Sequence, residues 1–521
     1  MSERVLDRRG WAALLSIGFG VALVIMDATI VNVALPVVMR DLDLTASDAQ
    51  WLNASYSLVF GALLITVGRL GDLHGRRRFF AAGMVLFMAS SLVAGSSHGP
   101  VQLIGARFVQ GLGAAMITPS ALSTLNATFT GRARVIAFAA WGSAIGGMAA
   151  VGPLVGGWLA TDVSWRWAFW LNIPVGVLVL IGILRTVPET RDASATTGRD
   201  PYGVALSAVG MGALVFGLIE SAWFGWWRQD SGELSPVPFA LAGGLVLLGV
   251  FVVVERGRAR AGRPVLIDLS LFRVTTFRAG LVAAFIVAFG EFGLLFILPL
   301  LLQGTLGYSA LGTGTIILAL AVGTFLVSGV LPRLGGRVSQ RTVVQSGLAV
   351  EALAVAGLAL TLSEEVSTLT LCAWLFAYGV GVGMATAQLT SLLLSDVPVG
   401  ESGQASGLQS SVRQVGSAVG VALLGGLLVS VLADRTRTNL GDLGLPGPVV
   451  ERLTAIVKDS GGNAIAGLHR PPGAGHAAAQ AMIDASRITA GLAAAALALG
   501  FAATFALPRT ARRLPEEEPA R

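Results

Sequence analysis

Apolar residues in this chain come in long runs broken by short polar stretches, and the runs do not alternate in polarity. A run of about 18 residues or more is long enough to cross the hydrocarbon layer of a bilayer as a helix. Inside lipid every backbone N–H and C=O must be paired within the segment, which a helix does by itself. Strands of a membrane barrel would alternate apolar and polar positions. The pattern predicts an all-α membrane protein with about 14 spans, near 11–36, 48–70, 78–97, 101–125, 134–160, 165–186, 202–224, 236–255, 276–302, 310–332, 341–362, 367–394, 405–431 and 488–507. The first run, with Arg4, Arg8 and Arg9 before it, superficially resembles a signal peptide. It is too long for one, contains Asp27 and reaches Pro36 without a small-residue cleavage site, so it reads as an uncleaved first helix. Loops are short except for a basic stretch at 256–275 and a polar segment at 432–487. The latter is rich in Gly, Pro and His and is expected to be a mobile loop with at most short helices.

Composition agrees with a membrane address: 54% of the 521 residues are hydrophobic and only 13% charged, too little charge to cover a soluble surface of this size. The net charge of +6 is no nucleic-acid signal, because the basic residues sit in short loops and no basic, aromatic-rich polar domain exists. They set an orientation instead. With the N-terminus in the cytoplasm, that side receives Arg76 to Arg78, Arg132, Arg134, Arg256, Arg258, Arg260, Arg263, Arg333, Arg337, Arg341, Arg509, Arg512 and Arg513. An even number of spans returns the C-terminus to the same side. Arginine instead of lysine, beside heavy Ala and Gly usage, points to a GC-rich bacterial genome and so to a bacterial inner membrane. The single cysteine, Cys372, lies in an apolar run and reads as a buried structural thiol.

The chain repeats itself at an offset of about 265 residues. Gly111-Leu112-Gly113-Ala114-Ala115-Met116 resembles Gly379-Val380-Gly381-Val382-Gly383-Met384, and Gly147 to Gly157 resembles Gly416 to Gly426. Two six-helix bundles follow, 1–190 and 276–521, with two inserted spans and a basic linker at 191–275. Two such halves packed face to face enclose a cavity that can open to either side.

Several local patterns carry mechanism. After the second span the chain reads Gly68-Arg69-Leu70-Gly71-Asp72-Leu73-His74-Gly75-Arg76-Arg77-Arg78. Glycine permits the tight turn, and Asp72 can pair with arginine. The fourth span holds Arg107 in Arg107-Phe108-Val109-Gln110-Gly111-Leu112-Gly113. An arginine inside an apolar helix must face a partner or a wet cavity, or else snorkel to the surface. The fifth span carries Gly152-Pro153-Leu154-Val155-Gly156-Gly157, where small residues allow close helix contact and proline bends the helix. The first span reads Asp27-Ala28-Thr29-Ile30-Val31-Asn32-Val33-Ala34-Leu35-Pro36.

These stretches resemble the signature loop, the R-x-x-Q-G-x-G motif, the antiporter motif and the D-x-T-x-V-N-V-A-L-P signature of the major facilitator superfamily, in its 14-helix drug:proton antiporter branch. Trp165 to Gly176 and Gln409 to Gly420, which includes Arg413, are similar to the same branch. Leu73 stands where the family often has arginine. The resemblance implies a major facilitator fold. It also implies a latch at Gly68, Asp72, Gly75, Arg76 and Arg77, exchange governed by Gly152, Pro153, Gly156 and Gly157, and proton coupling involving Arg107.

Acids within spans are the coupling candidates: Asp27 and Glu291, which the repeat makes nearly equivalent and places on the cavity, then Glu220 and Glu351. Glu220 has an interfacial alternative and Glu351 a simple pairing one. A lone carboxylate in a low-dielectric cavity takes up a proton easily. The reading is a monomeric exporter of lipophilic, cationic or amphipathic compounds driven by protons, with a dedicated metabolite or antibiotic exporter as the alternative. No cofactor or metal is expected. His74, His98, His469 and His476 are scattered over loops, against a membrane enzyme. No Walker sequence is present, against ATP-driven pumping.

Overall fold

The computed structural model describes residues 8–129, 148, 151–191, 200–229, 233–263, 265–267, 269–330, 339–393, 397 and 402–506. Helices dominate. The N-terminal half contains α1 (Arg8–Asp41), α2 (Ala46–His74), α3 (Arg76–Gly95) and α4 (Pro100–Thr128). It continues with α5 (151–158), a wider turn at Leu159–Val163, the short α6 (Trp167–Trp170) and α7 (Asn172–Thr186). The inserted pair is α8 (Pro201–Phe224) and α9 (Val237–Arg260). The C-terminal half contains α10 (Thr275–Gly304), α11 (Ala310–Val330), α12 (Gln340–Thr361), α13 (Thr368–Leu393), α14 (Ser402–Asp442), α15 (Gly447–Asp459) and α16 (Ala474–Ala503). Thirteen described helices are long and apolar enough to cross a membrane. Most of the fifth expected span, 134–160, lies outside the described residues.

Local chemistry starts these helices where they start. Thr45 caps α2 in a reciprocal box: its hydroxyl accepts the Asp48 N–H at 3.1 Å and the Asp48 carboxylate accepts the Thr45 N–H at 2.9 Å. Such a cap is worth about 1 kcal/mol. Asp200 caps α8 ahead of Pro201, and Ser339 caps α12. Large apolar side chains such as Val101, Leu178, Val253, Leu360 and Leu499 stand on the outer surface, as a lipid-facing wall requires.

The two halves meet along α2 against α14 and along α1 and α5 against α10 and α11. At the end opposite the arginine-rich loops, Gln303 Nε2 donates to the Val33 carbonyl at 2.9 Å and Leu311 N donates to Thr161 Oγ1 at 3.0 Å. Within the described residues that far end is closed. The inserted pair packs by α8 on α2 and α14, burying Val215 and Ile219 against Ala54, Leu58, Ala418 and Ala422.

The segment 432–487 is not the mobile loop its composition suggests. α14 runs on to Asp442, α15 buries Val450, Leu453, Thr454 and Val457 as one stripe, and α16 begins at Ala474. Glycine and proline gather in the turns between these helices, while the helical stretches have the 3.6-residue apolar period that overall polarity hides. Asn463 Nδ2 donates to the Pro36 carbonyl at 2.7 Å, so this cap touches the N-terminal half as well. Cys372 is half-buried and not fully buried as expected.

Candidate functional site

Asp27 lies midway along α1 with no exposure to solvent, and Arg107 of α4 is 1% exposed. Their charges meet: Arg107 Nη1 donates to Asp27 Oδ2 at 2.6 Å and to Gln110 Oε1 at 2.7 Å. Nε of the same guanidinium donates to the Leu52 carbonyl of α2 at 3.3 Å, and its carbon stands 4.2 Å from the centroid of the Tyr56 ring. The other carboxylate oxygen, Asp27 Oδ1, accepts from Gln110 Nε2 at 2.9 Å and Asn172 Nδ2 at 2.7 Å. Both amides also reach Ser91 Oγ, at 2.8 Å and 3.1 Å, and that hydroxyl donates to the Phe87 carbonyl at 2.7 Å. Five helices, α1 to α4 and α7, thus converge on one charge pair.

Asp27 is therefore not the lone carboxylate expected, whereas Arg107 faces a partner, as expected, and does not snorkel to the surface. Taking two ions out of water costs more than their attraction returns unless further hydrogen bonds complete them; Gln110, Asn172 and Leu52 supply those bonds, and Ser91 holds the two amides in place. The packing of α1 on α4 brings the partners together across 80 residues of chain. Sequence reading missed Asn172 and Ser91, since one polar residue in an apolar helix has no periodic signature. Asn172 does fall in the Trp165 to Gly176 stretch, which was its only available signal.

The glycines of the fifth span are wedged between halves. A side chain at Gly152 would collide with Thr29 Oγ1, and one at Gly156 would begin 2.9 Å from the Ile30 carbonyl, both on α1. A side chain at Gly157 would begin 2.6 Å from the Ala310 carbonyl, at the start of α11 in the other half. Pro153 turns its carbonyl against Gly314 of α11. One short stretch therefore touches the helix that carries Asp27 and the opposite bundle.

In the signature loop, Gly75 adopts φ +117°, open to glycine and strained for other residues. Glu189, just past α7, holds the loop. Its Oε1 accepts Arg77 N–H at 3.1 Å, its Oε2 lies 3.7 Å from Arg78 Nε, and Arg77 Nη1 donates to the Val187 carbonyl at 3.2 Å. Arg76 N donates to the Thr190 carbonyl at 3.1 Å, and Gly68 packs on Pro119 of α4. The side chain of Asp72 lies outside the described residues. Nothing in the local pattern pointed to Glu189, which follows a proline more than a hundred residues downstream.

The remaining acids stand apart from this network. Glu291 of α10 is largely buried, with Oε2 at 3.9 Å from Arg413 Nη2 of α14, and no described contact joins it to Asp27. Glu220 of α8 accepts from Trp51 Nε1 and Ser47 Oγ, both at 2.8 Å, and so ties the insert to α2. Glu351 of α12 is fully buried. At the arginine-rich end, a largely apolar cavity of about 670 Å³ lies between the last turns of α2, Phe79, the start of α8 and Val265–Leu266. Asp200 lines it. Burial pushes that carboxyl up, but the side-chain hydrogen bond with Glu255, the Gly203 N–H and the Arg258 guanidinium 3.1 Å away together hold it below the usual range.

Comparison with known proteins gives one answer. Residues 17–421 match the family described as the Major Facilitator Superfamily. The probable actinorhodin transporter of Streptomyces coelicolor is 36% identical over 475 residues, covering 86% of this chain and 80% of its own. The multidrug resistance protein Stp of Mycobacterium tuberculosis is 32% identical over 87% of this chain and 82% of its own. The puromycin resistance protein pur8 of Streptomyces alboniger is 36% identical over 82% and 84%. Among solved structures, a bacterial homologue of the lysosomal transporter Spinster, in an inward-facing and unoccupied conformation, superposes with a TM-score of 0.63. It shares 16% identity over 97% of this chain and 98% of its own, a likeness of fold. With its helical repeat, its antiporter motif and these relatives, this multi-pass membrane protein belongs to the major facilitator superfamily.

Proposed function

We propose that this chain exports lipophilic, cationic or amphipathic compounds across the cytoplasmic membrane in exchange for protons, as a monomer. The observation that carries the reading is the Asp27–Arg107 pair, buried and completed by hydrogen bonds with groups on α2, α4 and α7. A proton arriving on Asp27 cancels the charge that holds Arg107. The guanidinium cannot lose its own proton, so it must find other acceptors, and the helices that carry the network shift with it. Because α1 is packed on Gly152 and Gly156, and Gly157 on α11, a movement of α1 reaches the seam between halves. Rocking of the bundles 1–190 and 276–521 about that seam, with 191–275 as insert and linker, then exposes the substrate cavity to alternate sides. The arginine-rich end faces the cytoplasm on this reading, with both termini there, and the membrane is a bacterial inner membrane. The latch at Gly68, Asp72, Gly75, Arg76 and Arg77 stands at that end, anchored by Glu189.

A second reading, export of one dedicated antibiotic, is favoured by relatives named for actinorhodin, tetracenomycin C and puromycin. Both readings meet the same test. Bacteria stripped of their own exporters and expressing this chain should hold severalfold less ethidium than control cells, and a protonophore should restore accumulation. Protection against ethidium, puromycin and an aromatic polyketide together supports the broad reading. Protection against one of them alone supports the dedicated one. Low ethidium that persists after the proton gradient has collapsed would overturn proton coupling.

A further inference from the structure

The two halves pack alike at one point and differ there in one residue. In the N-terminal half Gly113 of α4 rests on α3: a Cβ at Gly113 would lie 3.0 Å from the Gly83 carbonyl and 3.0 Å from Phe87 N. In the C-terminal half Gly381 of α13 rests on α12 in the same way, its Cβ position 2.7 Å from the Gly347 carbonyl and 2.7 Å from Glu351 N. Met116 beside Gly83 and Met384 beside Gly347 complete the match. Glu351 therefore occupies the place that Phe87 fills in the other half. Phe87 is 0% exposed, so an apolar side chain satisfies this packing and the fold has no need of a carboxyl there.

Glu351 is also 0% exposed, and among the described residues neither of its carboxyl oxygens has a hydrogen-bond partner. The hydroxyl of Tyr378, buried on α13 one turn before Gly381, has none either. Tyr378 holds the place in its half that Gln110 holds in the Asp27 network, and Leu375 stands where Arg107 would be. The C-terminal half thus has a buried acid with no arginine on the neighbouring helix to neutralise it. An unpaired charge in such a place costs far more than keeping the proton. Charged and titratable groups reach it from few directions. Tyr378 on α13, Glu291 on α10 and Arg413 on α14 are near enough to couple with it electrostatically. α11 has no titratable residue, and Asp484 and Arg487 of α16 lie by the Leu362 end of α12, about three turns away.

We propose that Glu351, with Tyr378 near it on α13, is a second proton-carrying site of this exporter, loaded when the cavity opens to the far side, shielded with its proton in the conformation described here, and emptied towards the cytoplasm. This rests on the proton-exchange reading above. When the helices part on the cytoplasmic side, the Glu351 O–H gives its proton to water there and leaves a carboxylate that Arg413 can then face. With Asp27 as one carrier and Glu351 as another, more than one proton moves per substrate. Export of a singly charged cation then moves net charge, and the membrane potential adds to the drive.

The test uses the full-length protein in lipid. Infrared spectra at neutral pH should show the carbonyl stretch of a protonated, weakly hydrogen-bonded carboxyl. The band should be lost in Glu351→Gln and kept in Asp27→Asn and Glu291→Gln. In proteoliposomes, ethidium transport by the unaltered chain should respond to an imposed membrane potential, whereas Glu351→Gln should retain transport driven by the pH gradient and lose that response. If Glu351→Gln does not reach the membrane, Glu351→Leu, apolar like Phe87, serves for both readouts. A band unchanged by substitution of Glu351 overturns the proposal. So does a response to potential that survives the substitution. Failure of the unaltered chain to move ethidium would strike the cation-export reading instead, while the infrared band still decides whether Glu351 is loaded.

Discussion

Asp27→Asn is expected to abolish export driven by a pH gradient and to lower stability by about 3–5 kcal/mol, the usual penalty for breaking one side of a buried ion pair. The substitution keeps the shape of the side chain and leaves the Arg107 guanidinium charged, 1% exposed and without its counter-ion. Gln110, the Leu52 carbonyl and the Tyr56 ring face still hold it, so the protein should insert and fold, though less stably. Arg107→Met should be milder, because a carboxyl can take up a proton and shed its charge where a guanidinium cannot. The double variant Asp27→Asn/Arg107→Met should recover most of the stability and none of the pH-driven export. Thermal unfolding in detergent, paired with transport after a pH jump at equal protein levels, measures both halves of this expectation. PH-driven export regained by the double variant would show that the pair serves the fold and not the coupling.

Gly157→Leu should cost export heavily while leaving each bundle folded. The new side chain starts 2.6 Å from the Ala310 carbonyl and 2.9 Å from Leu311 Cα, so it must push α11 away from α5. Overpacking of this kind costs about 1–3 kcal/mol. Here the cost falls on the closed far end alone and shifts the balance between closed and open by about 5–150-fold. Pro153→Ala, which opens no such clash, should reduce export less. Labelling of a cysteine placed at Leu311, in a Cys372→Ser background, should quicken in Gly157→Leu. Unchanged labelling and unchanged export would mean that the antiporter stretch does not govern the seam.

Much of this was readable before any coordinates. Apolar runs alone locate the helices, because lipid leaves the backbone no alternative. The repeat between Gly113 and Gly381 anticipated that the two halves pack alike, as the contacts of Gly83 and Gly347 confirm. Arg107 announced that it needed a partner, yet four acids were on offer and the chain does not say which helix faces which. The choice of Asp27 comes from the packing of α1 on α4. Glu189, Ser91 and Asn172 were illegible because each is a single polar residue whose meaning lies in a distant contact. The stretch 432–487 misled for another reason. Its glycines and prolines crowd the turns and mask the stripe Val450, Leu453, Val457 that docks α15. Glu220 and Glu351 look alike in sequence, both acids in apolar runs, and the structure separates them: one is bound by Trp51 and Ser47, the other has no hydrogen-bond partner among the described residues.

The central claim is exchange of substrate against protons, and simultaneous recording of both fluxes tests it most directly. Proteoliposomes holding the full chain, with an acidic lumen and a trapped pH dye, would be given external ethidium. The account predicts that ethidium accumulates while the lumen loses protons in step with it, and that Asp27→Asn and a protonophore each stop the exchange. Ethidium uptake that continues after the gradient has collapsed, or that acidifies the lumen, would contradict it.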